Sequence, residues 1–328
     1  MTNMKRLLLT TLASLSWLGT IPTAHAQVAF PSERPITLVV PFAAGGGTDI
    51  LARLVAEKLG EQLSQSVIID NKPGANGLIA MGAVERAKAD GYTLMFGSSS
   101  THVLAPLMSE DKAFIDEVRK KSTLVSMVAD TPLVLAVGTH SDIGNLEQLL
   151  SVARQKSLTF GTFGTGSSPH VLGELLATRT NTKLVHVAYK GSAPAITDLR
   201  GGHIDSVFLT VAAVSAQVDN KEIRPLAVTG PRRVQTLPDT PTFKEAGVTG
   251  LEDSGWFALF APAGTPAATL EVLHTGVAKV MAMPAIQTQL TELGLQHAPG
   301  SRAQAAQAWE RSIANIRKLL QQVTISTK

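Results

Sequence analysis

Two stretches of the chain share one pattern: an apolar, β-rich run, then a Gly/Ser loop, then an amphipathic helix. The first is PITLVVPFAAGGGTDILAR, from Pro35 to Arg53, and the second is SLTFGTFGTGSSPHVLGELL, from Ser157 to Leu176. A strand that turns through glycines into a helix belongs to layered α/β architecture, because the helix must bury its apolar face on the sheet. The first N–H groups of a helix have no partner within it, and the helix dipole adds partial positive charge there. Such a turn attracts an anion without a Lys or Arg. Two of them, far apart in sequence, predict two lobes that close on one negatively charged ligand.

Strand-like and helix-like segments alternate along most of the chain. Ile36–Pro41 has little polar relief and reads as a strand buried on both faces. Ile50, Leu51, Leu54, Val55 and Leu59 recur at helical spacing within Thr48–Leu63. The loop Asn71-Lys72-Pro73-Gly74-Ala75-Asn76-Gly77 is dense in turn formers. Ser109 to Ser122 reads as charged and irregular, and Val207 to Val218 as an apolar run ending in Asp219. Pro266–Met281, Pro284–Leu293 and Ala303–Val323 read as C-terminal helices, with Pro at early helix positions in the first two. The recurrence of the strand–loop–helix unit fits two similar α/β lobes.

Lys5 and Arg6, the apolar run Leu7 to Leu18, and Ala24-His25-Ala26 make up a secretory signal peptide, with cleavage expected near Gln27. That apolar run is shorter than the roughly 20 residues a membrane span needs. Removing Lys5 and Arg6 takes the basic side chains from 29 to 27, against 26 acidic ones, so the mature chain is near neutral. No basic stripe carries interleaved aromatics, and nucleic acid is not an expected partner. The chain has no Cys, which excludes thiol catalysis, thiolate metal sites and disulfides. The eight His are scattered without an HxxxH pair, and no cofactor or metal is expected.

Three loops can carry chemistry. Phe42 to Gly47 leaves a strand and enters a helix that Thr48 or Asp49 can cap. Its adjacent glycines do not fit G-x-G-x-x-G, and G-x-x-x-x-G-K-[ST] is absent, so a dinucleotide or P-loop phosphate site is not indicated. In the second loop, Gly161 to His170, Ser168 is placed to cap with Pro169 following, and Thr165, Ser167 and His170 can aim donors at a carboxylate. The third loop, Ser98-Ser99-Ser100-Thr101-His102, follows a strand end, where open α/β sheets place their ligands. Asp49 and Asp205 suit capping and strand-end structure. The Ser/His content leaves an exported hydrolase as an alternative, although G-x-S-x-G is missing and Ser167 to His170 is a local helical spacing.

RPITLVVPFAAGGGTDILARL, NKPGANG, DGYTLMFG, GTGSSPHVLGELL, HVAYKGSAPAITDL, RPLAVTG, LPDTPTFKEAGV and WFALFAPAGTP follow one another in order. In these motifs the chain resembles the Bug family, the periplasmic solute receptors of tripartite tricarboxylate transporters, over nearly all of residues 30–310. The resemblance implies a type II-like periplasmic binding protein: two α/β domains joined by crossing hinge strands, with residues 27–130 plus 256–328 as lobe 1 and 131–255 as lobe 2. It implies a monomer that binds a carboxylate through backbone groups and water, passes it to membrane components of the transporter, and is not an enzyme. A sensor role, with the closed form touching a membrane signalling protein, is the other alternative. Carried over by motif, the ligand contacts are Phe42, Ala43, Ala44, Gly46, Asp49, Ser98, Ser99 and His102 on one lobe. Gly164, Thr165, Ser167, Ser168, His170 and Thr210 are those on the other. The chain departs from the family at Ser109–Lys121, in the loop after the third strand, and at Leu209, where many relatives carry an Asp. Leu209 argues against an amino-acid ligand and for a plain or aromatic carboxylate.

Overall fold

A computed structural model describes residues 30–252, 254–298 and 300–323; the expected export segment 1–26 lies outside them. The chain begins β1 (Ile36–Val40), α1 (Gly47–Leu63), β2 (Val67–Asn71), α2 (Leu78–Glu85) and β3 (Thr93–Ser98). A π-helical turn, Ser100–Leu104, leads into α3 (Ala105–Leu107), α4 (Phe114–Lys121) and β4 (Ser122–Thr131). Next come β5 (Leu133–Gly138), α5 (Leu146–Gln155), β6 (Leu158–Thr162), α6 (Ser168–Thr180), β7 (Leu184–Ala188) and α7 (Ser192–Arg200). Then follow β8 (Ser206–Thr210), α8 (Val211–Asp219), β9 (Ile223–Val228) and β10 (Gly255–Pro262). The described chain closes with α9 (Ala267–Met281), α10 (Pro284–Glu292), β11 (Gln296–His297) and α11 (Arg302–Leu320).

These strands form two sheets, ordered β11-β4-β10-β3-β1-β2 and β7-β6-β8-β5-β9. Each contains a parallel trio, β2-β1-β3 in one and β7-β6-β8 in the other, beside which an antiparallel strand is laid. The antiparallel strand is β10 in the first sheet and β5 in the second. The recurrence in the sequence is therefore a recurrence in space, and α1 and α6 occupy equivalent positions after the central strand of each trio. Every residue of β5, β8 and β10 is buried, which accounts for the unbroken apolar character of β5 and β10 and of the middle of β8.

The chain crosses between sheets through Pro132, which separates β4 from β5, and again ahead of β10. The crossing is stitched by backbone: Thr229 N–H donates to Leu133 O at 2.8 Å, and Val211 N–H to Pro132 O at 3.1 Å. Helix α11 makes a third connection. Trp309, Ile313 and Ile316 are buried against the first sheet, whereas Leu319 and Val323 pack against the core of the second as well. Arg179 of α6 donates to Gln322 Oε1 at 2.9 Å beside that contact.

Two readings of local structure change. Within Ser109 to Ser122, expected to be irregular, α4 buries Ile115 and Val118 and places Asp116 and Glu117 in its first turn and Arg119 to Lys121 in its last. That charge order complements the helix dipole, but two apolar positions are too few for a periodic signal. The run Val207 to Val218 divides at Thr210 between strand β8 and helix α8. Among the described residues, no helix is long and apolar enough to cross a membrane.

Candidate ligand-binding site

The two sheets meet along a seam, and the seam opens into a cavity of about 440 Å³ lined from both sides. Phe42, Asn76, Leu78 and Met108 line it from the first sheet's side, and Phe163 to Gly166, Tyr189 and Lys190 from the second's. Phe42 and Phe163 meet edge to face at its wall, joining the two lobes there, with ring centroids 5.0 Å apart. This volume falls in the range of small-molecule sites. Among the described residues, no cluster of His, Asp and Glu could hold a metal ion.

Next to the cavity, residues 42–47 run along residues 189–193. Ala43 N–H donates to Lys190 O at 3.0 Å, and a Cβ on Gly191 would lie 3.1 Å from Ala43 N. Further along, helix α1 starts at Gly46 with no side chain capping it, and α7 and α8 start uncapped at Gly191 and Thr210. A Cβ on Gly46 would lie 3.4 Å from Ser192 N. One on Gly47 would collide with Thr210 Oγ1 and lie 3.2 Å from Ala213 N. Three helix N-termini from two lobes thus converge, and each contributes unpaired donors and partial positive charge. Thr210 Oγ1 is buried there with no hydrogen-bond partner.

Asp49 holds this loop in place. Its carboxylate accepts from Gly45 N–H at 2.9 Å, Arg53 Nε at 2.8 Å and Asn71 Nδ2 at 2.8 Å, and the residue is 2 % exposed. Gly45 adopts φ +81°, the left-handed conformation that turns its N–H back toward Asp49. Burial alone would raise the Asp49 pKa, but the hydrogen bonds from Arg53, Gly45 and Asn71 outweigh it and hold the carboxyl below its ordinary value. All three partners lie in its own lobe. Asp49 shapes the loop from within, and its ion pair with Arg53 offsets its charge. Ala44 is exposed beside it.

The second glycine loop faces a different part of the first lobe. Ser167, one position earlier than expected, is the residue before α6, but its hydroxyl does not cap the helix: it donates back to Gly164 O at 2.6 Å. Gly164 N–H donates to Thr162 Oγ1 at 3.2 Å, and Gly166 N–H to His170 Nδ1 at 2.9 Å. Ser168 N–H donates to Ser100 Oγ of the first lobe at 2.9 Å. The α6 start therefore meets a serine hydroxyl rather than the α1 start, because the π-helical turn after β3 pushes Ser99 and Ser100 against it. Ser99 Oγ pairs with Ser168 Oγ at 3.3 Å. Thr165 stays exposed at the cavity.

The remaining expected contacts lie deeper. His170 is fully buried and stacks on His186, with centroids 3.7 Å apart. Burial and the neighbouring His170 push the His186 pKa down to about 3. His102 stacks on Phe260 at 3.6 Å, takes its Nδ1 contact from Thr101 Oγ1 at 2.9 Å, and is pushed down to about 3 by burial. Ser98 N–H donates to Thr101 Oγ1 at 2.9 Å, within the same turn. His102 and Ser98 thus sit inside the first lobe, whereas Phe42, Gly164 and Thr165 line the cavity itself.

Asn76, Ser100, Met108, Tyr189 and Lys190 were not among the expected contacts. Asn76 is held at φ 46° between Gly74 and Gly77, both also at positive φ, and its Oδ1 is buried without a partner on the wall facing Gly164. An Asn within a glycine-flanked loop is the one signal that could have marked it, since Asn tolerates this conformation better than most residues.

Two layered lobes, joined by crossing strands around one polar-edged cavity, define a two-lobed α/β binding protein. The family model for the tripartite tricarboxylate transporter family receptor matches residues 51–325, and the chain belongs to that family. A UPF0065 protein of Bordetella bronchiseptica is 38% identical over 305 residues, covering 93% of this chain and 90% of the relative. The protein BugT of Bordetella pertussis is 35% identical over 255 residues, covering 77% of this chain and 78% of BugT. Among solved structures, R. palustris Rpa4515 with adipate superimposes with a TM-score of 0.85 at 36% identity, over 90% of this chain and 98% of that one. The fold is that of the periplasmic binding proteins, in agreement with the two-lobed α/β architecture that the resemblance implied.

Proposed function

We propose that this protein is a periplasmic receptor that captures an organic carboxylate by closing two lobes on it, for delivery to the membrane components of a tripartite tricarboxylate-type transporter. The lobes in this reading are residues 27–130 with 256–328, and 131–255. The observation that carries it is the seam: a cavity lined from both lobes, with three helix starts that lack a side-chain cap and the unpartnered Thr210 hydroxyl further along it. Neutral donors of this kind hold a carboxylate without a buried cation. The adipate in Rpa4515, similar to this chain in sequence and fold, supports the same ligand class here. Leu209 of β8 is fully buried in the core of the second lobe rather than at the cavity wall, and it offers no carboxylate to a ligand amino group. Lobe closure is a hinge motion driven by the difference in ligand contacts between the open and closed states.

The experiment is a thermal-shift screen of mono-, di- and tricarboxylates, aliphatic and aromatic, with neutral sugars as controls. A correct ligand at 100 times its Kd raises stability by about 2.7 kcal/mol through linkage. Stabilisation by sugars and by none of the acids would overturn the carboxylate reading.

A further inference from the structure

Both ends of the Gly164–Gly166 loop, which lines the cavity, are tied to one pair of stacked imidazoles inside the second lobe. Gly166 N–H donates to His170 Nδ1 at 2.9 Å. Gly164 N–H donates to Thr162 Oγ1, which in turn pairs with His186 Nε2 at 2.7 Å. Gly166 holds φ +73°, and a Cβ on it would lie 3.3 Å from Met108 Sδ of the first lobe, so this loop has little room to shift without meeting the opposite wall. A ring nitrogen that accepts carries no proton, so the bond from Gly166 fixes the neutral His170 ring with its proton on Nε2. Nε2 itself is buried without a hydrogen-bond partner, 3.6 Å from Glu174 Oε1.

Protonation reverses this arrangement. An imidazolium has two donors and no acceptor, so Nδ1–H and Gly166 N–H would face each other and the bond is lost. The Glu174 carboxylate favours the charge on His170. Rings stacked with centroids 3.7 Å apart share one proton at most, and burial with the neighbouring His170 already holds His186 down at about 3. Among the described residues, β6 and β8, which pack on the same helix, carry no titratable group within Leu158–Thr162 and Ser206–Thr210. On the first lobe's π-helical turn, His102 faces Phe260 and Trp309. Beside the loop, Asp198 is taken by the Tyr189 hydroxyl at 2.6 Å. We propose that His170 is a positioning residue: with Nδ1 free of a proton it holds the Gly164–Gly166 wall in the form that receives ligand, and on acidification it lets that wall go and weakens binding. The inference rests on the receptor reading of the same cavity.

The test has two arms. In the free protein, ring-nitrogen NMR reads the His170 tautomer and hydrogen exchange reads the Gly166 amide; both groups lie in one lobe, so no ligand is needed. At about pH 8 His170 should be the Nε2–H tautomer with Gly166 protected, and at about pH 5.5 that protection, corrected for the intrinsic exchange rate, should fall about tenfold. In the second arm, hexanedioate and benzoate are titrated calorimetrically into wild type, His170→Asn and His170→Phe at both pH values. Asn places an amide oxygen near the position of Nδ1 and does not titrate, whereas Phe keeps the ring stack and removes the acceptor. Wild-type affinity should fall about tenfold more on acidification than that of His170→Asn, the protonation of the acid itself being common to both. His170→Phe should bind about tenfold more weakly than wild type at about pH 8 and show no further loss specific to the ring. An Nδ1–H tautomer at about pH 8, unchanged Gly166 protection, or equal acid loss in wild type and His170→Asn overturns the inference and leaves the receptor reading intact. If neither acid binds or the Phe variant does not fold, the NMR arm decides the inference by itself, and the wider carboxylate screen decides the receptor reading.

Discussion

Ser100 Oγ, carried by the first lobe, accepts a hydrogen bond of 2.9 Å from Ser168 N–H at the start of α6 in the second. The two hydroxyls also pair at 2.9 Å. A helix cap is normally supplied by the residue before the helix; here it comes from the opposite lobe and exists only while the lobes are together.

Removing that cap should favour opening. Ser100→Ala leaves Ser168 N–H unpaired in the closed form, a cost of about 1 kcal/mol for a lost N-cap. Ligand affinity should fall by about fivefold, with little change in the unliganded melting temperature. Isothermal titration, together with small-angle scattering of the free protein, checks both parts.

The glycines at the α1 start should differ sharply. Gly47→Ala places a methyl against Thr210 Oγ1 and 3.2 Å from Ala213 N, whereas Gly46→Ala meets nothing nearer than 3.4 Å. Neither position needs a positive φ, so Ala is compatible with the helix itself. Gly47→Ala should weaken ligand binding by more than tenfold through blocked closure, and Gly46→Ala by a factor of about three at most. Equal effects in a binding titration would mean that the seam at Gly47 does not close on ligand.

Asp49 gives an acid-dependence with a definite sign. Its folded pKa is depressed, so its contribution is complete above the unfolded carboxyl value and disappears as the pH falls through the folded one. Stability of the wild type should therefore drop more steeply below about pH 4 than that of Asp49→Asn, while at neutral pH Asp49→Asn is the less stable of the two. Urea denaturation at a series of pH values distinguishes the two slopes.

Asn76 supplies a fourth test. Its two amide atoms face Gly164 and Gly166 across the seam, and Nδ2 donates to Ser100 O at 3.4 Å. Asn76→Gly preserves the left-handed backbone and removes only the amide. Binding should weaken by about three- to tenfold, in line with the loss of one or two hydrogen bonds, with the melting temperature nearly unchanged.

The layered fold was legible because its signals are local. The period of α1, the apolar β5 and β10, and the two glycine loops each declare themselves within a short window. The strand exchange that puts β10 beside β3 came through family likeness, since pairing between residues such as Phe257 and Ser98 leaves no local pattern. The site was harder to read. Both glycine loops reach the cavity, but which helix starts oppose each other depends on the π-helical turn at Ser100–Leu104, and α1 ends against α7 and α8 instead of α6. His102 and Ser98 look like ligand contacts in sequence because hydroxyls and imidazoles look alike whether they point into a cleft or into a core. Lys190 was passed over because a lone Lys after a strand is ordinary until the fold brings it to the cavity wall.

Helix α11 has one more consequence. With Ile316 seated on one lobe and Leu319 on the core of both, the final turn is a contact that any relative motion of the lobes must disturb. An environment-sensitive dye attached at Gln321, through a Cys introduced into a chain that has none, would label a single site and convert the binding cycle into an optical signal.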